Sequence, residues 1–440
     1  MNELFIEAKY IISGSKCNRI IKNGGILIEN DEIVAIGKVE PVKSLVSGHD
    51  KLDRTNHIVI PSLVNSHTHI PETLLRGICD DEKLMTWLND YIWPFERRMT
   101  SEDAYYGTLL GCLELIESGV SGFIDQYFYA ESIKKAAKEA KIRALICPSV
   151  FDNTPESGSL ENTWKHVSSL LNNSIPDTNQ LVNYGIGPHA PYTVPEEYLY
   201  KVKELAAKNS LSIHIHLNET KSEVEQSLKD FGMSPIEYIH KLGLTEEKIL
   251  AAHCVNTQNK DWKIMKESNI TVLHNPQSNL KMTSGIAPIY KYLELGINVA
   301  VGTDGNASNN DLGMIEELST AAMLQKHLSQ NPKVLDNSQA LRLGTINGMK
   351  ALGVQSQGIT EKSKADLTIL SLEKSHSWPQ NNIVSNIIYS SSSSDVSDLI
   401  INGKLVYFNK EHQTLNKEKI IEKCSTISER IITEMGKIKK

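Results

Sequence analysis

The sequence predicts an α/β fold: a closed (β/α)8 barrel of the TIM type, with a small β-sandwich domain formed by both chain ends. Three observations predict it. Eight apolar runs have the length of strands, segments of helical periodicity separate them, and the two ends of the chain are β-rich in a different pattern.

The first 57 residues read as short strands and turns, as in Gly25 to Gly37, where Asn30-Asp31 is a hairpin turn. The eight barrel strands follow as Ile58 to Ser66, Val120 to Tyr127, Ala144 to Phe151, Val182 to Pro188, Leu211 to Leu217, Ile249 to Val255, Ile270 to His274 and Asn298 to Thr303. Between them, segments such as Glu102 to Ser118, Glu196 to Asn209 and Glu223 to Leu242 space their apolar residues three or four apart. Two further helical patterns, Met314 to Gln330 and Ser338 to Leu352, complete a barrel domain over 58–355. Residues 356–440 hold the second part of the sandwich, with Asn402-Gly403 as a strong hairpin signal, and a terminal helix over Lys417 to Lys437. A doubly wound open sheet is the rival fold, but no G-x-G-x-x-G follows the first strand.

A chain of 440 residues with 40% hydrophobic and 22% charged residues has ordinary globular composition. Its net charge of -7 gives no reason to expect nucleic acid or an anionic membrane as a partner. The six cysteines form no C-x-x-C pair, which fits a reducing compartment, and the start of the chain lacks the pattern of a signal peptide. No apolar run reaches 18 residues. The expectation is a cytoplasmic protein, with a homo-oligomer left open.

Chemistry is suggested first by His67-Thr68-His69 just past the first strand. With one residue between them, both imidazoles can point to one side and meet a single metal ion. Alone, the pair could be two solvent-facing loop histidines. His216 closes the fifth strand, however, His253 the sixth, and Asp304 follows the eighth. In a barrel the C-terminal strand ends converge on one face, so these five residues together point to a metal centre. One divalent ion per chain is expected, with Zn²⁺ favoured and Fe²⁺ or Mn²⁺ open.

Asp304 could both ligate the metal and take a proton from an activated water. Glu219, three residues after His216, could shuttle a proton to a substrate, or could instead be a glutamate placed at a helix start. His214 is read as support for the ligands and His274 as a hydrogen-bonding wall residue.

Taken together, Pro61 to His69, Thr73 to Gly77, Gly187 to Tyr192, His214 to Glu219, Ala252 to Val255, His274 to Pro276, Ser278 to Lys281, Ser284 to Pro288 and Gly302 to Asn310 resemble the amidohydrolase superfamily. Within it they resemble the 5-methylthioadenosine/S-adenosylhomocysteine deaminase branch. The resemblance implies that His67, His69, His216 and Asp304 bind the metal. It makes His253 the partner of the activated water and Glu219 the proton donor to the ring nitrogen beside the attacked carbon. It also implies that Glu96 and His189 hold ribose hydroxyls, that Trp87 lines the nucleoside pocket and that Ser308 lies close to it. Without it, Trp87 would be read as core packing and Glu96 as a solvated helix residue.

One departure bears on the substrate. Relatives that accept S-adenosylhomocysteine place arginines after the third strand, but Ala144 to Trp164 has neither Arg nor Lys, and Pro148 and Leu160 stand in their place. The expected reaction is therefore hydrolytic deamination of adenosines with a small or apolar 5′ group, such as 5′-methylthioadenosine or 5′-deoxyadenosine. Guanine deamination or triazine dechlorination on the same scaffold is the nearest alternative, and an inactive binding subunit a more distant one.

Overall fold

A computed structural model describes residues 3–48, 50–82 and 84–438. Both chain ends meet in one eight-stranded sheet. From the N-terminal end come β1 (Glu3–Ser13), β2 (Arg19–Glu29), β3 (Glu32–Lys38) and β4 (Lys51–Pro61).

The barrel strands are β5 (Leu63–Thr68), β6 (Val120–Tyr127), β7 (Arg143–Val150), β8 (Val182–Tyr184), β9 (Gly187–Pro188), β10 (Ile213–Leu217), β11 (Ile249–His253), β12 (Ile270–His274) and β13 (Asn298–Val301). The C-terminal end adds β14 (Leu367–Ser371), β15 (Val396–Ile401), β16 (Lys404–Phe408) and β17 (Glu411–His412) to the first sheet, in the order β17-β16-β15-β14-β4-β1-β2-β3. Asn402 and Gly403 turn β15 into β16 with positive φ at both residues, the backbone that a tight hairpin turn demands.

The barrel strands pair in parallel as β5-β6-β7-β8 and β10-β11-β12-β13, with β8 and β9 two halves of the fourth position. Backbone bonds close the ring on both sides: His214 N–H to Ile186 O at 2.9 Å, and Asp304 N–H to His67 O at 2.9 Å. Val64, Ile124, Leu145, Leu250, Leu273 and Ala300 fill the base of the barrel beneath the histidines. Gly302 is required at the second seam, because a Cβ there would collide with the backbone of His67.

The apolar run Ile58 to Ser66 is not one strand. Ile58, Val59 and Ile60 pair on one side or the other with β1 and β14, and β4 ends at Pro61, so the chain steps from the flanking sheet into β5 across Ser62 alone. The helix expected over Glu223 to Leu242 also divides. Gly232 takes φ +73° and ends Lys221–Phe231, and Ser234 caps a new helix, Pro235–Lys241. Among the described residues no helix is long and apolar enough to cross a membrane.

Candidate active site

The C-terminal ends of the barrel strands gather the five expected metal-type residues at one spot. His67 ends β5 and is fully buried; His69 follows it and leads into the 3-10 turn Ile70–Leu75. His216 lies on β10, His253 on the end of β11, and Asp304 beyond β13. His253 and Asp304 both adopt left-handed backbone, φ +70° and +71°, the kind of local strain that aims a functional side chain.

Ring contacts set the arrangement. Nε2 of His67 and Nε2 of His69 lie 3.2 and 3.3 Å from Oδ1 of Asp304. Donor atoms of His67, His69 and Asp304 all fall within 4.8 Å of one another, as do those of His67, His216 and His253. The geometry therefore includes His253 in the cluster without separating it from the four ligands expected from sequence.

The opposite ring nitrogens are occupied. Nδ1 of His69 meets Gln126 O at 2.7 Å, Nδ1 of His216 meets His189 O at 2.8 Å, and Nδ1 of His253 meets Asn279 Oδ1 at 2.9 Å. Each acceptor holds a proton on Nδ1 and leaves the Nε2 lone pair free toward the cluster. Asp304 is held likewise: Ser278 Oγ and Ser308 Oγ donate to its Oδ2 at 2.7 and 3.1 Å.

Burial lowers His67 to about 4 and takes His216 well below the ordinary imidazole value, so both are neutral, as ligands must be. Burial raises Asp304, but the close imidazoles of His67 and His69 outweigh it and hold the carboxyl well below the usual range. Burial also lowers His69, yet Asp304 and Glu72 carry it up to about 10, so positive charge is favoured at this spot. Nε2 of His67 has no hydrogen-bond partner among the described residues. Imidazoles and a carboxylate with fixed outer nitrogens, converging where a cation is favoured, fit a divalent metal ion.

A cavity opens above the cluster, lined by His69, His216, His253 and Asp304 together with Trp87, Glu96, His189, Glu219 and Ser308. Of the residues expected to hold the metal, the water or the substrate, all border it except His67, which is sealed beneath. Aromatic walls come from Trp87, Trp93, Phe128, Phe151 and Tyr192, and no Lys or Arg lines it among the described residues. Pro148 and Leu160 do not line it; Ser149 and Phe151 do. Arg143, at the opposite, N-terminal end of β7, is buried and turned to Asp366 and Asn402.

Glu219 is aimed by its backbone. Its N–H and that of Asn218 donate to the Glu223 carboxylate at 2.7 and 3.1 Å, and Asn256 Nδ2 donates to its carbonyl at 2.6 Å. Its side chain takes a bond from Ser284 Oγ at 3.1 Å and lies 3.8 Å from Nε2 of His253. The following helix is capped by Thr220, so Glu219 is not the helix-start glutamate of the alternative reading.

Glu96 is not a solvated helix residue: it is buried in the cavity wall at the end of a helical stretch with a π turn at Leu88–Ile92. Burial raises its pKa. Trp87 is both core and cavity wall. His189 lines the cavity with Nδ1 2.9 Å from Thr193 Oγ1, and burial lowers it to about 3. His274 departs from expectation. It is fully buried and neither ring nitrogen has a hydrogen-bond partner among the described residues, and burial lowers it to about 3.

Sequence reasoning missed Glu72, a buried carboxyl in the cavity wall. Its signal was a charge within the otherwise uncharged stretch Ile70–Leu75.

Residues 58–406 match the Amidohydrolase family. The chain belongs to the amidohydrolase family. It is 42% identical over 412 residues to a 5′-deoxyadenosine deaminase of Methanocaldococcus jannaschii, covering 93% of this chain and 96% of that one. It is 38% identical over 423 residues to a 5-methylthioadenosine/S-adenosylhomocysteine deaminase of Desulforamulus reducens, covering 96% and 97%. A crystal structure of an adenosine deaminase from Xanthomonas campestris with bound zinc matches with TM-score 0.94 at 30% identity, covering 98% of each chain. The barrel and flanking sheet of this amidohydrolase thus follow a known solution along nearly their full length.

Proposed function

We propose that this amidohydrolase is a metal-dependent deaminase of adenosine-type nucleosides, releasing ammonia and the inosine analogue. The observation that carries it is the shared cavity. Glu219 faces His253 across the mouth of a cluster of metal-type donors, and Glu96 and His189 line the same space. The names of the relatives support the same chemistry.

His67, His69, His216 and Asp304 would hold the ion, Zn²⁺ being favoured by the donor set and Fe²⁺ or Mn²⁺ left open. A divalent ion there lowers the pKa of a water towards neutrality and so supplies the nucleophile. Asp304 accepts the water's proton, and Nε2 of His253 orients the attacking oxygen by hydrogen bonding. Glu219 delivers a proton to the ring nitrogen beside the attacked carbon, which relieves the charge that attack puts on the amidine. The C–N bond then breaks as Asp304 passes its proton to the amine, which leaves as ammonia, and the hydroxyl proton on the attacked carbon's oxygen returns to Glu219 as the carbonyl forms. Glu96 and His189 hold the ribose, Trp87 packs beside the nucleoside and Ser308 borders it. Aromatic walls, with no Lys or Arg among the described lining residues, favour a small or apolar 5′ group over the charged tail of S-adenosylhomocysteine. Glu96 and His189 favour a nucleoside over guanine or a triazine.

The six buried free cysteines accord with the cytoplasm, where we assign the protein. Ammonia release from 5′-deoxyadenosine by the metal-loaded protein tests the reading.

A further inference from the structure

Glu72 is 5% exposed, yet its Oε2 has no hydrogen-bond partner among the described residues. Gly305 makes the room: a Cβ there would collide with Oε2 of Glu72. A buried acceptor left unmet is costly, and such groups in folded proteins call for a partner.

The partner is not the metal cluster, whose mutually close donor atoms do not include Glu72. It is not a described Lys or Arg, since none lines the cavity. Glu72 does border the cavity, and Glu96 lines the same space. A neutral O–H donor on a ligand beside Glu96 answers both conditions.

We propose that Glu72 is a further substrate-contacting residue, whose carboxyl hydrogen-bonds a sugar hydroxyl of the bound nucleoside next to Glu96. This rests on the nucleoside reading above and adds to it a second carboxyl that selects for the intact sugar.

The test compares kcat/KM for adenosine and its 2′-, 3′- and 5′-deoxy analogues in the metal-loaded native enzyme, Glu72→Met and Glu72→Gln. Glu72→Met should lower the value for adenosine by roughly 10-fold to 100-fold, the cost of leaving a buried hydroxyl without its partner. For the one analogue that lacks the contacted hydroxyl, the same substitution should cost no more than about threefold, because the interaction is already gone. Glu72→Gln, which keeps an acceptor, should recover part of the loss. A penalty equal for all four nucleosides, as loss of metal or of folding would give, overturns the proposal, and so does no penalty. Native enzyme inactive on all four would instead overturn the nucleoside reading itself, and this inference with it.

Discussion

His67 and His214 stack with ring centroids 4.8 Å apart, and Nδ1 of the first lies 2.9 Å from Nε2 of the second, both fully buried. Burial takes His214 well below the ordinary imidazole value, so the contact is one between neutral rings that fixes the tautomer of His67. His214→Phe keeps the stack and removes the nitrogen. It should weaken metal affinity roughly 10-fold to 100-fold, the usual cost of losing the outer partner of a ligating histidine. Competition against a chelator measures it; unchanged affinity would make His214 a packing residue.

Glu219 is set by the bonds that Glu223 and Asn256 make to its backbone, so a change at its carboxyl leaves its position intact. Glu219→Gln should keep the metal and lose roughly 100-fold to 10,000-fold in kcat, the range of a positioned proton donor. Elemental analysis and steady-state rates together decide this, and a variant with native kcat would remove Glu219 from the mechanism.

These residues were legible in the sequence for a definite reason. His67, His69, His216, His253 and Asp304 lie at or just past the ends of four barrel strands, and strand ends of a parallel barrel meet at one face whatever the loops do. Positions fixed by loops were less legible. Glu72 sits in a one-turn segment with no periodicity to read, and its burial depends on Gly305, far along the chain. The apolar run Ile58 to Ser66 concealed a boundary, because flanking-sheet and barrel strands are equally apolar and only Pro61-Ser62 marks the change. Glu96 read as solvated because its local pattern carries no trace of the cavity wall that buries it.

Arg54 joins Asp398 by two hydrogen bonds of 2.6 and 2.7 Å, linking the N-terminal strand β4 to the C-terminal strand β15. Burial raises the Asp398 carboxyl, but the bonds from Arg54, Asn409 and Ser397 outweigh it and leave its pKa below the free value of 3.8. Such a group contributes stability fully above that free value and loses it as pH falls through the lower folded value. Asp398→Asn should therefore destabilise the protein at neutral pH. The expected cost is near the lower end of the roughly 3 to 5 kcal/mol seen on breaking a buried pair, since Arg54 is partly exposed. In denaturant titrations the gap should narrow as pH falls below about 4. A gap constant with pH would mean the carboxylate charge plays no part.

Substrate choice follows from the cavity walls. Without a Lys or Arg among the described lining residues, the carboxylate of S-adenosylhomocysteine finds no charged partner. A charge-assisted hydrogen bond contributes about 1.5 to 3 kcal/mol, so kcat/KM for that compound should fall at least roughly tenfold below 5′-methylthioadenosine or 5′-deoxyadenosine. Equal or better use of S-adenosylhomocysteine would require a basic residue elsewhere at the cavity mouth.

The most direct test is steady-state ammonia release by the purified protein from 5′-deoxyadenosine, 5′-methylthioadenosine, adenine and guanine, with and without chelator. The account predicts about one divalent ion per chain, turnover of both nucleosides, its loss on chelation, and very poor use of adenine and guanine. Turnover that persists without metal, or a preference for guanine over every nucleoside, would contradict it.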